Sequence, residues 1–289
     1  MGRKKNTAFE KVEHQLSRSE SFIILDITDD GPEPPYGDVH FAPQMIIMLH
    51  GEVIVEQANR EIVCHGGDVC LTAPYLPHSV SLGAGRSHYL VVTFNFFALN
   101  DFSPFDDVNY LQLFVQPELP PPTRHNRAEI IHLARKISTL GKLRPANYRT
   151  GQFLYLQQIL WLLTSRIDTA PAVNSRKNIM QIYPALLLAQ SCNDKLISLD
   201  EAADSCNLSR SRFSAVFKKY MGISFNAFAM RGRLSAIALK LLHGEGNSMK
   251  EIALESGFAD VSHFYRTFRQ IFNCTPLEFI GLKKPEQQH

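Results

Sequence analysis

One local pattern occurs twice between residues 198 and 272, and it constrains the chain more than any other feature. Each copy opens on a Ser-x-x-Glu capping signal, Ser198 with Glu201 and Ser248 with Glu251. Such a box satisfies two of the backbone N–H groups that a helix start leaves open. A short amphipathic stretch follows, with a small residue, Ala203 or Ala253, where a second helix must come close. Then comes a brief turn, Cys206-Asn207-Leu208 or Gly257-Phe258-Ala259, in which Asn207 or Gly257 can take a positive φ. A second N-cap, Ser209 or Asp260, starts the next helix, which sets aromatic residues at i, i+4: Phe213/Phe217 and Phe264/Phe268. Burying those rings leaves the opposite face open. This is the layout of a helix-turn-helix, whose second helix enters the major groove of DNA. One copy is a weak signal, since many helical hairpins look alike. Two copies with N-caps 51 residues apart leave a plain helical bundle as the lesser reading.

Charge follows the same division. The whole chain carries a net charge of only +2, which by itself argues weakly against nucleic acid as a partner. Residues 1–175 hold 15 basic and 18 acidic side chains, whereas residues 176–289 hold 15 basic and 10 acidic. The front is thus −3 and the rear +5, and the basic excess coincides with the repeated pattern. A charge of +5 is modest, so tight DNA binding is expected to need the two arms of a homodimer.

The front half reads differently. Ile23–Ile27, Gln44–Leu49, Val53–Gln57, Val69–Thr72 and Tyr89–Phe94 are short runs of β-branched and aromatic residues between Gly and Pro turn signals. Their spacing predicts an all-β sandwich or barrel. Asn100–Thr123 is rich in Pro and Asp and is expected to be a long loop. Helical periodicity then appears at Arg127–Leu140 and Asn147–Ile167, the second with an apolar stripe that serves either its own domain or a dimer partner. The expected organisation is a sensor and dimerisation domain over 1–170, a linker over 171–178, and an all-α domain over 179–289. In that last domain a helix from about Phe225 to Leu242 joins the two repeated units.

Ile197 to Pro276 resembles the DNA-binding domain of the AraC/XylS family of bacterial transcription regulators. The likeness is carried by Leu199, Ala202, Ala203, Leu208-Ser209, Phe213, Phe217-Lys218-Lys219, Gly222, Phe225, Arg233-Leu234, Leu241-Leu242, Ile252-Ala253, Gly257-Phe258, Phe264, Arg266, Phe268 and Thr275-Pro276. It implies that Arg210, Ser211, Ser214 and Ala215 of the first recognition helix face base edges, as do Val261, Ser262, His263 and Arg266 of the second. Ser209, Lys218, Lys219, Arg231, Arg233 and Arg269 are the phosphate candidates, with Arg233 alternatively structural. Two departures stand out. Ala238 and Leu241-Leu242 lie one residue further from Arg233-Leu234 than the family pattern has them, which a π-bulge would absorb. Cys274 replaces a glycine, so a positive φ there would be strained.

The front half resembles, more loosely, the cupin-like sensor domain common in that family, so the fold expected is an all-β barrel ahead of helices and an all-α double helix-turn-helix domain. Gly67–His78 is similar to one conserved cupin stretch, and Asp38-Val39-His40 stands where cupins carry His-x-His, with Gln44 in place of an acid. Asp38, His40, Gln44 and His78 are a depleted ligand set, so no metal and no cofactor are assigned. Tyr36, His40, Met48, Tyr75 and His78 are the candidate effector-binding residues, and the resemblance implies a sugar or similar metabolite as the small-molecule effector. It also implies promoter DNA and RNA polymerase as partners, and activation as the mode. No nucleophile elbow, P-loop or dinucleotide fingerprint occurs, so the chain is not expected to be an enzyme. Two alternatives stay open: a cupin-type metalloenzyme fused to a DNA-binding domain, and a regulator that needs no ligand. No run approaches the ~18 apolar residues of a membrane span. The five cysteines form no C-x-x-C pair, which fits a reducing cytoplasm.

Overall fold

The computed structural model describes residues 8–9, 20–32, 36–57, 60–96, 98–102, 108–115, 123–165, 175–191, 197–243, 248–272 and 274–281. Nine strands come first: β1 (Ala8–Phe9), β2 (Phe22–Asp29), β3 (Tyr36–Asp38), β4 (Gln44–His50), β5 (Glu52–Gln57), β6 (Arg60–His65), β7 (Val69–Thr72), β8 (His78–Leu82) and β9 (Ser87–Phe94). They form two sheets, ordered β1-β3-β8-β5-β6 and β2-β9-β4-β7. Side chains alternate across a strand, so β4 has two working faces. Ile46 and Met48 join Val53, Val55, Cys64, Cys70, Leu82 and Tyr89 in an apolar layer drawn from both sheets. Met45, Ile47 and Leu49 pack into a different cluster, with Ile130, Ala134 and Ile137 of the helix laid across the second sheet.

That helix is α2 (Arg124–Leu143), capped by Thr123, whose hydroxyl accepts from the Asn126 N–H. It pairs with α3 (Tyr148–Thr164). Both lie where the 3.6-residue periodicity placed them. The interval read as one loop, Asn100–Thr123, is more structured: a 3-10 turn spans Ala98–Phe102 and a short helix, α1, spans Leu111–Val115. Phe102, Leu111, Leu113 and Phe114 are buried. The Pro and Asp content hid these four apolar anchors. Likewise β3, β6 and β8 were not legible as strands, because their short polar sequences acquire strand character only by pairing with β8 and β5.

Among the described residues beyond 174, every regular element is helical. They are α4 (Ser175–Ser191), α5 (Leu199–Ser205), α6 (Arg210–Met221), α7 (Phe225–His243), α8 (Met249–Glu255), α9 (Val261–Phe272) and α10 (Pro276–Gly281). α4 begins at Ser175, inside the stretch expected as linker, and residues 171–174 lie outside the described set. α7 carries no π-bulge: it is α-helical throughout, with Leu234, Ile237, Ala238 and Leu241 buried at ordinary spacing. The displaced residue is therefore absorbed by choice of buried face rather than by a bulge. Cys274 is also not strained, since it is absent from the residues with positive φ. Burial, and then the Glu278 charge, push its thiol up to about 11.

Candidate nucleic-acid interface and the polar site of the β unit

Both repeated units close in the same way. Asn207 sits at φ 53° and Gly257 at φ 66°. The next residue's N–H then reaches back to the small residue's carbonyl, Leu208 to Ala203 at 3.0 Å and Phe258 to Ala253 at 2.9 Å. This is a Schellman closure, which turns the chain sharply enough to launch the second helix. Ser198 makes the full reciprocal box with Glu201. Ser248 accepts from the Glu251 N–H at 3.2 Å. The second helices start on Ser209, which accepts from the Arg212 N–H, and on Asp260, which accepts from the His263 N–H at 2.7 Å.

The two second helices bury their aromatic faces as the periodicity required. Phe213, Val216, Phe217, Tyr220 and Met221 are buried on α6, and Phe264, Phe268 and Phe272 on α9. The exposed side of α9 carries Ser262, His263, Arg266, Arg269 and Gln270, spaced as one helical face, with Val261 half-buried at its edge. On α6 Arg210, Ser211, Ala215, Lys218 and Lys219 are exposed and Ser214 is half-buried. Arg210 makes a surface ion pair with Asp200 at 3.4 Å, and the Lys219 ammonium lies 5.5 Å from the Tyr220 ring. Exposed Arg212 and Gln270 complete these faces; continuing the i, i+4 count outward would have found both.

Arg233 has surroundings that fit the structural alternative. It is only 4 % exposed, its guanidinium lies 5.1 Å from the Phe258 ring centre, and burial lowers its pKa. A Cβ on Gly257 would stand 2.8 Å from Arg233 Nη2. The side chain is thus a strut between α7 and the turn of the second unit. Gly257 serves both the positive φ and this approach. Arg231 is half-buried, with burial lowering its pKa, which places it at the margin of any DNA face.

In the β unit, Asp38, His40 and His78 come together in a buried group: one carboxylate oxygen and one nitrogen of each imidazole lie within 4.8 Å of one another. The strand register explains it, since Asp38 of β3 stands opposite His78 of β8. His40 Nδ1 lies 2.7 Å from the Ala42 carbonyl and His78 Nδ1 3.1 Å from the Leu76 carbonyl. A carbonyl only accepts, so in these contacts each Nδ1 carries a proton. The rings meet edge to face at 5.1 Å. Gln57 of β5 stands opposite His78, donates to the Leu71 carbonyl at 3.1 Å, and holds its Oε1 buried with no hydrogen-bond partner among the described residues. Gln44 is buried and 3.5 Å from the Thr93 hydroxyl.

Of the expected effector residues, then, His40 and His78 converge. Met48 belongs to the apolar layer between the sheets. The Tyr36 side chain lies outside the described set. The Tyr75 ring packs on Phe41 at 5.3 Å and on Phe228 of α7 at 5.4 Å. A Cβ on Gly232 of α7 would be 2.9 Å from Tyr75 Cε2. Burial pushes the Tyr75 phenol up, and its backbone holds φ 56°, a costly conformation for a bulky residue. Tyr75 therefore joins the β unit to α7. Asp38 completes the polar group.

Residues 202–281 match the family model described as "Helix-turn-helix domain". The regulatory protein PocR of Salmonella typhimurium is 39% identical over 80 residues, which are 28% of this chain and 26% of that protein. An uncharacterized HTH-type transcriptional regulator of Staphylococcus aureus is 23% identical over 235 residues, 81% of this chain and 31% of its own length. The chain thus spans between a quarter and a third of these curated relatives. ToxT from Vibrio cholerae O395 superposes with a TM-score of 0.50 at 14% identity, covering 91% of this chain and 98% of that one, which is a likeness of fold. The chain joins an N-terminal two-sheet β unit to a C-terminal double helix-turn-helix domain of the AraC type, the DNA-binding domain of a family of transcription regulators.

Proposed function

We propose that this chain is a sequence-specific DNA-binding transcription regulator whose affinity for a promoter is set by a small effector in the β unit. The observation that carries the reading is the pair of second helices, each with a buried aromatic face and an exposed face bearing arginine or lysine beside small polar residues. Base edges need short polar side chains and arginine, while phosphates need cations at the margin. Arg210, Ser211, Ala215, Ser262, His263 and Arg266 are the base-reading set, with Ser214 and Val261 at its edges. Ser209, Lys218, Lys219 and Arg269 are the phosphate set.

Homodimerisation through α3 is supported by its outward face, where Leu154 is 51% and Trp161 61% exposed. An exposed tryptophan beside a leucine is costly to leave in water. Activation, contact with RNA polymerase and a sugar as effector rest on the family resemblance alone.

Selection of bound duplexes from a random pool tests the reading. The expected product is a pair of short motifs one helical turn apart, about 34 Å, on one face of the duplex. Recovery of no motif, with equal affinity for selected and scrambled duplexes, would overturn it.

A further inference from the structure

We propose that the two units divide the work on DNA: the second, through Arg266, fixes the operator sequence, and the first grips phosphates and leaves its half-site weakly specified. The inference rests on the DNA-binding reading above and names how that partner is recognised. The 51-residue offset of the repeat brings the two second helices into register, with Phe213 and Phe217 matching Phe264 and Phe268. Opposite those buried rings runs an outward ridge of residues four apart. On α6 it is Ser211 and Ala215, on α9 Ser262 and Arg266, and all four are exposed. The serine is kept, while the next position changes from a methyl group to a guanidinium. Beside this ridge lies a flank of residues seven apart, Arg212 and Lys219 on α6 against His263 and Gln270 on α9, again all exposed. Lys218 and Arg269, which also match, are cations in both helices. Positive charge thus stands at the flank of the first helix and on the central ridge of the second.

Position decides what such charges do. An arginine facing the floor of the major groove gives two parallel N–H donors to guanine O6 and N7, whereas an alanine offers only a methyl contact. Cations at the side of a recognition helix meet the phosphate walls of the groove, where they raise affinity for every sequence. The helix starts differ in the same sense. α6 opens on neutral Ser209, and α9 on Asp260, whose carboxylate accepts the His263 N–H at 2.7 Å. The N-terminal end of a helix attracts a phosphate, and a carboxylate already placed there repels one. Arg210 takes the repeat position of half-buried Val261 and pairs with Asp200 at 3.4 Å. It therefore stands at the edge of the first face and not on its ridge. Ridge, flank and cap all assign phosphate contact to the first helix and base contact to the second.

Selection of bound duplexes by the full-length chain, run beside Arg266→Ala and Ala215→Arg, tests the division. The parent should yield two unequal half-sites. In one, guanine exceeds every other base at a fixed position by about tenfold or more, and no position of the other approaches that ratio. Arg266→Ala should lose that position. Ala215→Arg should gain a second guanine position, about 34 Å from the first, because it supplies the guanidinium that the first ridge lacks. Should Ala215→Arg not melt as the parent does, Ala215→Gln asks the same question with adenine in place of guanine. Arg212→Ala/Lys219→Ala should lower the salt slope of binding by about 1.8 and keep the guanine preference. Two equally sharp half-sites in the parent would overturn the division. So would a guanine position that survives Arg266→Ala, a folded Ala215→Arg that gains none, or an unchanged slope in the double variant. A parent chain that binds selected and scrambled duplexes alike overturns the transcription-regulator reading as well.

Discussion

The two helix-turn-helix units are built from one sequence pattern, yet they sit in the molecule on different terms. The first is continuous with the rest of the protein. Ala202, Ala203, Phe213, Phe217, Phe225 and Phe228 belong to one apolar cluster that runs through α4, α1 and the outer face of the second sheet. The second has a core of its own, made of Leu234, Ile237, Ala238, Leu241, Ile252, Ala253, Phe258, Phe264, Phe268, Phe272 and Phe279. α7 belongs to both, with Phe225 and Phe228 in one cluster and Leu234 to Leu241 in the other. A change in the β unit therefore meets the first unit directly and reaches the second only along α7 and its strut, Arg233. The same motif serves as a docked element in one place and as a tethered one in the other.

The largest effect should come from emptying the tethered core. Phe268 is fully buried and stacks on Phe272 at 4.4 Å. Phe268→Ala should cost about 3–5 kcal/mol. Amide exchange should show the loss confined to residues 248–281, with α5 and α6 still protected; equal loss in both units would break the distinction.

Next come two arginines of the family pattern that are expected to play different parts. Arg266→Ala should remove about 1–3 kcal/mol of discrimination between a selected duplex and a scrambled one. Arg233→Ala should instead lower stability by about 2 kcal/mol and leave the salt slope of binding unchanged. Lys219→Ala, by contrast, should lower that slope by about 0.9 and weaken all duplexes alike. A changed slope for Arg233→Ala would return it to the phosphate set.

The caps sharpen the contrast at a smaller scale. Ser198→Ala loses a reciprocal box and should cost about 1 kcal/mol, while Ser248→Ala loses a single bond and should cost about 0.5 kcal/mol. Denaturant midpoints of the two variants decide the order, and equal shifts would remove the distinction.

The smallest effect is a pH dependence in the β unit. Burial acts to raise the pKa of Asp26, but hydrogen bonds from Ser138 and His88 and the Lys142 charge outweigh it, so the net value is lowered. These contacts, with Ser138 at 2.5 Å and His88 at 2.7 Å, tie β2 and β9 to α2. A depressed carboxylate stabilises the fold fully above its unfolded pKa of about 3.9, and the contribution is lost as pH falls through the lower folded value. Asp26→Asn should flatten the acid limb of a stability profile. The first unit, sharing the core, should loosen with the β unit below about pH 4, ahead of the second. Simultaneous loss of both units would contradict the separate cores.

How far this was readable differs by element. Caps, positive-φ turns and aromatic i, i+4 pairs are local, and they appear where the spacing put them, at Ser198, Asn207, Ser209, Gly257 and Asp260. The strands with β-branched runs were equally legible. β3, β6 and β8 were not, because their character comes from the neighbours they pair with. The surroundings of Arg233 and Tyr75 were not legible for a related reason. A family pattern says that an arginine or a tyrosine is present, but which surface it meets depends on chain folded from far away, Phe258 in one case and Phe228 in the other. Arg212 and Gln270 were within reach of a stricter periodicity count.

The sequence by itself determined the two architectures, the repeat, the capping chemistry and the +5 charge of the reading half, since all of these are set within a few residues or by composition. Only the tertiary structure decided that the two units are held differently, that Asp38, His40 and His78 meet, and that Tyr75 grips α7. Those outcomes depend on burial and on contacts between positions 38 to 157 residues apart in the chain. Over such separations it is the free energy of packing, and not local preference, that selects the partner.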